Sequence, residues 1–145
     1  MTSIIQTPRL ATFALPSFSE PRGVLTCFDI VRQRRLLPFE VQRVFWITDV
    51  PQGSTRGAHA HRTCSEALVA LNGAFKVRID NGQTSWVKTL SSPSQGIVIP
   101  PLVWCELYDF TPGSVCLCLA SGEYDEGGYL RTYDEFQAFV ENTPS

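Results

Sequence analysis

The sequence predicts an all-β chain, a jelly roll or closed barrel of short strands followed by one short C-terminal α-helix. Three observations carry that expectation. Short β-branched and aromatic runs recur along the chain, separated by Gly, Pro, Asn and Asp. One run alternates, with Lys76, Arg78 and Asp80 interleaved among Phe75, Val77 and Ile79, as in a strand with one wet and one dry face. Helical periodicity is absent until the last stretch of the chain.

Taken in order, strands are expected over residues 23–31, 42–49, 66–71, 74–80, 84–90, 96–99, 104–109 and 115–120. The steps Asn72-Gly73 and Asn81-Gly82 mark tight turns, because both residue types tolerate positive φ. Near the C-terminus, Thr132 and Glu135 have the spacing of a capping box. Phe136, Phe139 and Val140 then form an apolar i, i+3, i+4 stripe, expected to cap one end of the barrel.

At 145 residues, without internal repeat or low-complexity linker, the chain reads as a single domain, 1–145, long enough to bury a core without metals or disulfides. Hydrophobic residues at 43% against 18% charged exclude a disordered chain. A net charge of -2 supplies no field to gather nucleic acid or anionic lipid, so neither partner is expected. The cluster Arg32, Arg34, Arg35 reads as a solvated strand end or turn. Five cysteines, an odd number with no CxxC pair, fit neither a disulfide framework nor a zinc ribbon. No apolar run approaches the ~20 residues that span a bilayer, and no leader pattern opens the chain. These features point to the cytoplasm.

The chemistry concentrates in Arg56-Gly57-Ala58-His59-Ala60-His61, which holds both histidines of the chain. On a strand, residues i and i+2 share a face, so both imidazoles point into one space. Arg56, His59, His61, Arg62 and Glu66 fall within eleven residues, just before the apolar run 67–71. That much polarity is costly to bury and is better explained as a pocket wall than as a solvent-facing strand.

Five residues separate Gly53 from His59, one separates His59 from His61, four lie before Glu66 and six before Gly73. This spacing is similar to the first sequence motif of the cupin superfamily along its whole length. The physical sense is two same-face histidines, a carboxylate from the adjoining strand, and a glycine at the hairpin that follows. His59, His61 and Glu66 also compose a two-histidine, one-carboxylate set suited to Fe(II) or Mn(II). Metal-binding cupins usually add a histidine from a later strand. Here the segment 96–106 offers only Cys105 near that place. A metal-dependent cupin, either oxygenase or isomerase, therefore stands as the alternative reading, and a non-catalytic sugar or nucleotide sensor as a third.

From about Arg22 to Phe139 the chain resembles the sugar-nucleotide 3,4-ketoisomerases. The matching pieces are Arg22-Gly23, Arg43-Val44-Phe45-Trp46-Ile47, the histidine segment, Leu71-Asn72-Gly73, and Pro101-Leu102-Val103-Trp104-Cys105-Glu106 with Asp109-Phe110. They continue with Leu119-Ala120-Ser121, Tyr124-Asp125-Glu126, Tyr129-Leu130-Arg131 and Tyr133-Asp134. The resemblance implies a cupin-fold homodimer that converts a dTDP-4-keto-6-deoxyhexose into its 3-keto isomer, with no cofactor and no metal. It implies that His59 and His61 are catalytic. Arg22, Arg56, Glu66, Trp104, Cys105, Tyr108 and Arg131 are expected at the dTDP-linked keto-deoxysugar.

The residue chemistry suits that reaction. The C3 hydrogen of a 4-keto sugar is α to a carbonyl, and an imidazole of ordinary basicity can remove it at neutral pH. Two imidazoles can divide the work between carbon and oxygen; the sequence reading favours His61 for the carbon proton, with the reverse order open. Three departures from the family pattern stand out. Cys105 replaces an imidazole or guanidinium, Glu66 replaces an amide, and Phe45-Trp46 replaces tyrosines.

Overall fold

The computed structural model describes residues 11–32 and 35–143, so Arg34 of the basic cluster lies outside the described residues. Twelve strands and one α-helix follow in chain order. The strands are β1 (Ala11–Ala14), β2 (Ser17–Glu20), β3 (Gly23–Thr26), β4 (Arg43–Ile47), β5 (Arg56–His61) and β6 (Glu66–Asn72). After these come β7 (Phe75–Asp80), β8 (Ser85–Leu90), β9 (Gln95–Ile99), β10 (Trp104–Tyr108), β11 (Val115–Ala120) and β12 (Tyr129–Leu130). The helix, α1, spans Tyr133–Glu141.

Two five-stranded sheets face each other, in the orders β1-β9-β6-β11-β4 and β12-β5-β10-β7-β8. The arrangement is a jelly-roll sandwich rather than a closed barrel. Its core takes the inward residues of both sheets, Leu68, Ala70, Ile97, Ile99, Cys116 and Cys118 against Phe75, Val77, Ile79, Cys105 and Leu107. All the pairings are antiparallel, and the alternation of each strand delivers every second residue to that interior.

Several elements differ from the sequence expectation. The strand from Gly23 stops at Thr26, because the Asp29 carboxylate accepts from the Val31 and Arg32 amides and turns the chain. Strands β1 and β2 were not legible, being four residues each and broken up by Pro16 and Pro21. Asn72-Gly73 is no hairpin: β6 and β7 belong to opposite sheets, and the turn carries the chain across the sandwich. Gly73 has φ +68°, and any side chain there would collide with the Thr111 and Ser114 hydroxyls. Asn81-Gly82 does close the β7–β8 hairpin, with positive φ at the glycine alone and Asn81 Oδ1 accepting from the Gln83 and Thr84 amides.

Helix α1 begins where expected, with Thr132 Oγ1 accepting from the Glu135 amide at 3.1 Å. It lies on the outer face of the second sheet rather than across an open end. There Phe136 is fully buried against Ala60, Trp104 and Leu130. The helix also covers Asp80, expected on a wet face but in fact buried, where it accepts from Tyr133 Oη at 2.9 Å and pairs with Arg78 at 3.1 Å. Strands β2 and β3 form a separate hairpin whose Phe18, Val24 and Leu25 are exposed.

Candidate active site

The site is built on an irregularity in β5. Cys105 pairs with His59 but Glu106 pairs with Gly57, so Ala58 is an extra residue in the ladder. Gly57 and Ala58 take it up in left-handed conformations, with φ +79° and +54°. A Cβ on Gly57 would also press on the Cys105 carbonyl oxygen at 3.0 Å. Beyond this bulge the alternation resumes, and His59 and His61 both turn into the sandwich. Their rings meet edge to face with centroids 4.9 Å apart, and Tyr129 packs on both at 5.0 and 4.6 Å.

Glu66 reaches them from the opposite sheet, at the first position of β6. Its Oε1 accepts a hydrogen bond from His61 Nε2 and lies 4.0 Å from His59 Nε2. Burial alone would raise the Glu66 pKa. The hydrogen bonds of His59 and His61, reinforced by their charge, overcome that penalty and hold the carboxyl at about 2. Glu66 is therefore a buried carboxylate, ionised at neutral pH. His59 Nδ1 lies 3.0 Å from the Gly57 carbonyl oxygen. A carbonyl only accepts, so Nδ1 carries a hydrogen, and the other ring nitrogen, Nε2, is turned inward beside Glu66 Oε1.

His59 and Glu66 line a cavity of about 420 Å³ together with Arg56, Cys105, Arg131, Trp46 and Tyr129. His61 does not face that cavity. It lines a second cleft of about 340 Å³, with Arg43, Cys64, Ser121 and Tyr124, and Tyr129 stands at the wall of both. A larger depression of about 880 Å³ between Phe28 and Val41 shares no lining residue with either.

The other sequence candidates divide. Arg56, Glu66, Cys105 and Arg131 come together at the cavity. Arg131 is already held by Glu126, at 2.7 and 3.0 Å, and its guanidinium stacks on Tyr129 at 4.4 Å. Cys105 points inward and is 8% exposed; burial, with the Glu66 charge behind it, pushes its thiol pKa well up, so it is a neutral thiol. Three candidates are not brought to this cavity within the chain. Trp104 and Tyr108 alternate with Cys105 and Leu107, which turns them to the outer face of β10. Trp104 is buried there beneath α1, against Tyr133 and Phe136, and donates to Glu106 at 3.0 Å. Arg22 is exposed on the β2–β3 hairpin and pairs with Glu20.

Sequence reasoning did not single out Arg43 or Tyr129 as site residues. The signal for Arg43 was its phase, since Arg43, Phe45 and Ile47 share the inner face of β4. For Tyr129 none was available beyond its place beside Arg131, because its approach depends on β12 pairing with β5 through Tyr129 and His61. As for metals, the donor atoms of His59, His61 and Glu66 lie within 4.8 Å of one another and could face one divalent ion. Cys105 is not part of that donor group.

Comparison with known proteins gives consistent matches. Residues 9–141 match the family FdtA, described as WxcM-like, C-terminal. A curated relative from Aneurinibacillus thermoaerophilus, a TDP-4-oxo-6-deoxy-alpha-D-glucose-3,4-oxoisomerase, is 38% identical over 121 residues, 83% of this chain and 85% of that protein. The sugar 3,4-ketoisomerase QdtA from Thermoanaerobacterium thermosaccharolyticum, solved with TDP, superposes with a TM-score of 0.86 at 36% identity, over 93% of this chain and 96% of that one. A histidine-to-asparagine variant of QdtA, solved with TDP-4-keto-6-deoxyglucose, gives 0.85 at 36% identity, over 91% and 94% of the two chains.

Proposed function

Because the chain belongs to the FdtA family, WxcM-like, C-terminal, we propose that it is a sugar-nucleotide 3,4-ketoisomerase. It converts TDP-4-keto-6-deoxyglucose into a TDP-3-keto-6-deoxyhexose. The observation that carries the mechanism is the His59 ring, whose Nδ1 is committed to the Gly57 carbonyl while Nε2 turns inward beside Glu66 at the cavity wall.

The steps follow from that geometry. His59 Nε2 takes the C3 hydrogen as a proton, the C–H pair forms the C3–C4 double bond, and the carbonyl pair moves onto O4. O3 then gives up its proton, O4 gains one, and C4 is protonated, leaving the carbonyl at C3. Two protons leave and two arrive, so the reaction has no net redox change. The sequence reading favoured His61 at carbon; the cavity supports His59 in that role, with the ionised Glu66 and His61 behind it. Arg56 and Arg131 at the wall suit the diphosphate or the enediolate charge, and Trp46 offers an exposed face for the thymine.

The assembly is a homodimer in this reading, supported by the exposed apolar side chains of the β2–β3 hairpin, which carries Arg22. No helix among the described residues is long and apolar enough to cross a membrane, which is compatible with the cytoplasm. The test is incubation with TDP-4-keto-6-deoxyglucose followed by proton NMR. A new 3-keto species supports the assignment; unchanged substrate with folded protein, under conditions where a known ketoisomerase turns over, contradicts it.

A further inference from the structure

Resting on the ketoisomerase reading, we propose that Glu66 and His61 form a proton relay that connects the base His59 with solvent in the second cleft, behind the substrate. Three observations place the parts in line. His59 faces the substrate cavity and His61 faces the second cleft. Between them lies one carboxylate oxygen, Glu66 Oε1, hydrogen-bonded to His61 Nε2 and 4.0 Å from His59 Nε2. That carboxylate is buried between the two imidazoles, hydrogen-bonded to one and facing the other, so it accepts a proton from one side and yields one on the other.

A bound sugar nucleotide covers the front of His59, so a proton exchanged during turnover has to pass behind it. After His59 takes the C3 proton, the charged ring and the carboxylate draw together across the 4.0 Å that separates them, the Nε2–H bond breaks and an O–H bond forms on Glu66. The Glu66–His61 pair then holds one proton more than before, and the His61 ring releases it from its other nitrogen into the second cleft. Passage in the opposite direction returns a solvent proton to His59 for delivery to C4. No oxidant, reductant or co-reactant is needed, and the chain returns to its starting state each turnover.

The route has an exit that can be blocked away from the chemistry. Gly122 lines the second cleft, and a Cβ built there has nothing within 4 Å. Gly122→Phe therefore adds bulk at the cleft wall from a position whose Cβ meets nothing, and it changes none of His59, Glu66 and His61. Glu66→Gln removes the relay's middle member while keeping its shape.

The experiment uses substrate deuterated at C3, turned over in ordinary water, with deuterium at C4 of the product counted by mass spectrometry at low conversion. The native protein is expected to lose nearly all the label. Retention should rise at least threefold in Gly122→Phe, which still isomerises, and likewise in Glu66→Gln, which turns over more slowly. Slow turnover by itself allows more exchange and lowers retention, so a rise is not a rate effect. Label kept at C4 by the native protein overturns the relay, as does equal loss in all three proteins, which places exchange in the substrate cavity. Absence of isomerisation in the native protein overturns the ketoisomerase reading itself, a result distinct from either.

Discussion

His61 and Glu66 come from facing sheets and hold each other through a hydrogen bond from Nε2 to Oε1, with each residue less than a tenth exposed. The contact ties β5 to β6 across the sandwich at the place where the chemistry is proposed. It also makes part of the fold's stability depend on an ionised carboxylate.

That dependence has a sign. The Glu66 pKa is about 2 in the folded chain against an ordinary 4.5. A lowered folded pKa contributes stability above the ordinary value, and the contribution is lost as pH falls from 4.5 towards 2. The difference corresponds to roughly 3 kcal/mol. Urea unfolding at stepped pH should show this loss in the native protein and a flatter acid limb in Glu66→Gln. Parallel acid limbs would remove Glu66 as the cause.

The two tryptophans expected near the substrate should separate cleanly. Trp104 is buried under α1 with Tyr133 and Phe136, so Trp104→Ala should cost about 3–5 kcal/mol of stability. Trp46 is 65% exposed at the cavity, and Trp46→Ala should leave stability nearly unchanged while weakening TDP binding by roughly 1–3 kcal/mol. Calorimetry reads both quantities. The reverse pattern would mean that Trp104 reaches the ligand.

Much of this was legible in the sequence, for reasons that differ by element. The histidine pair, Glu66 and Gly73 were visible because their spacing is local. Helix α1 was visible because a cap and an apolar stripe are both short-range signals. The fate of Trp104 was not, since one register step decides whether a strand residue faces the cavity or the helix, and β10 is shifted against β5 at Cys105 and Glu106. The separation of His59 from His61 into two cavities was also hidden. Same-face spacing brings two rings together but says nothing of Tyr129, which arrives from seventy residues downstream to stand between the clefts.

Cys105, at the position where the sequence resemblance leads one to expect a basic group, should behave as an inert neutral thiol. Burial first, and the Glu66 charge next, raise its pKa, so little thiolate exists at neutral pH. Iodoacetamide at pH 8 followed by peptide mass mapping should label the exposed Cys27 readily and leave Cys105 intact. Fast labelling of Cys105 in the folded protein would show an activated thiol and reopen its part in proton transfer.

The central claim, isomerisation by His59 without a metal, is tested most directly by ¹³C NMR on carbonyl-labelled TDP-4-keto-6-deoxyglucose. The native protein is assayed before and after chelation, beside His59→Asn. The expected result is migration of the labelled carbonyl to the 3-keto form at the same rate with and without chelator. His59→Asn should be slower by about 10²–10⁴-fold while still binding TDP. Loss of turnover on chelation that Fe(II) or Mn(II) restores, or an unimpaired His59→Asn variant, would contradict it.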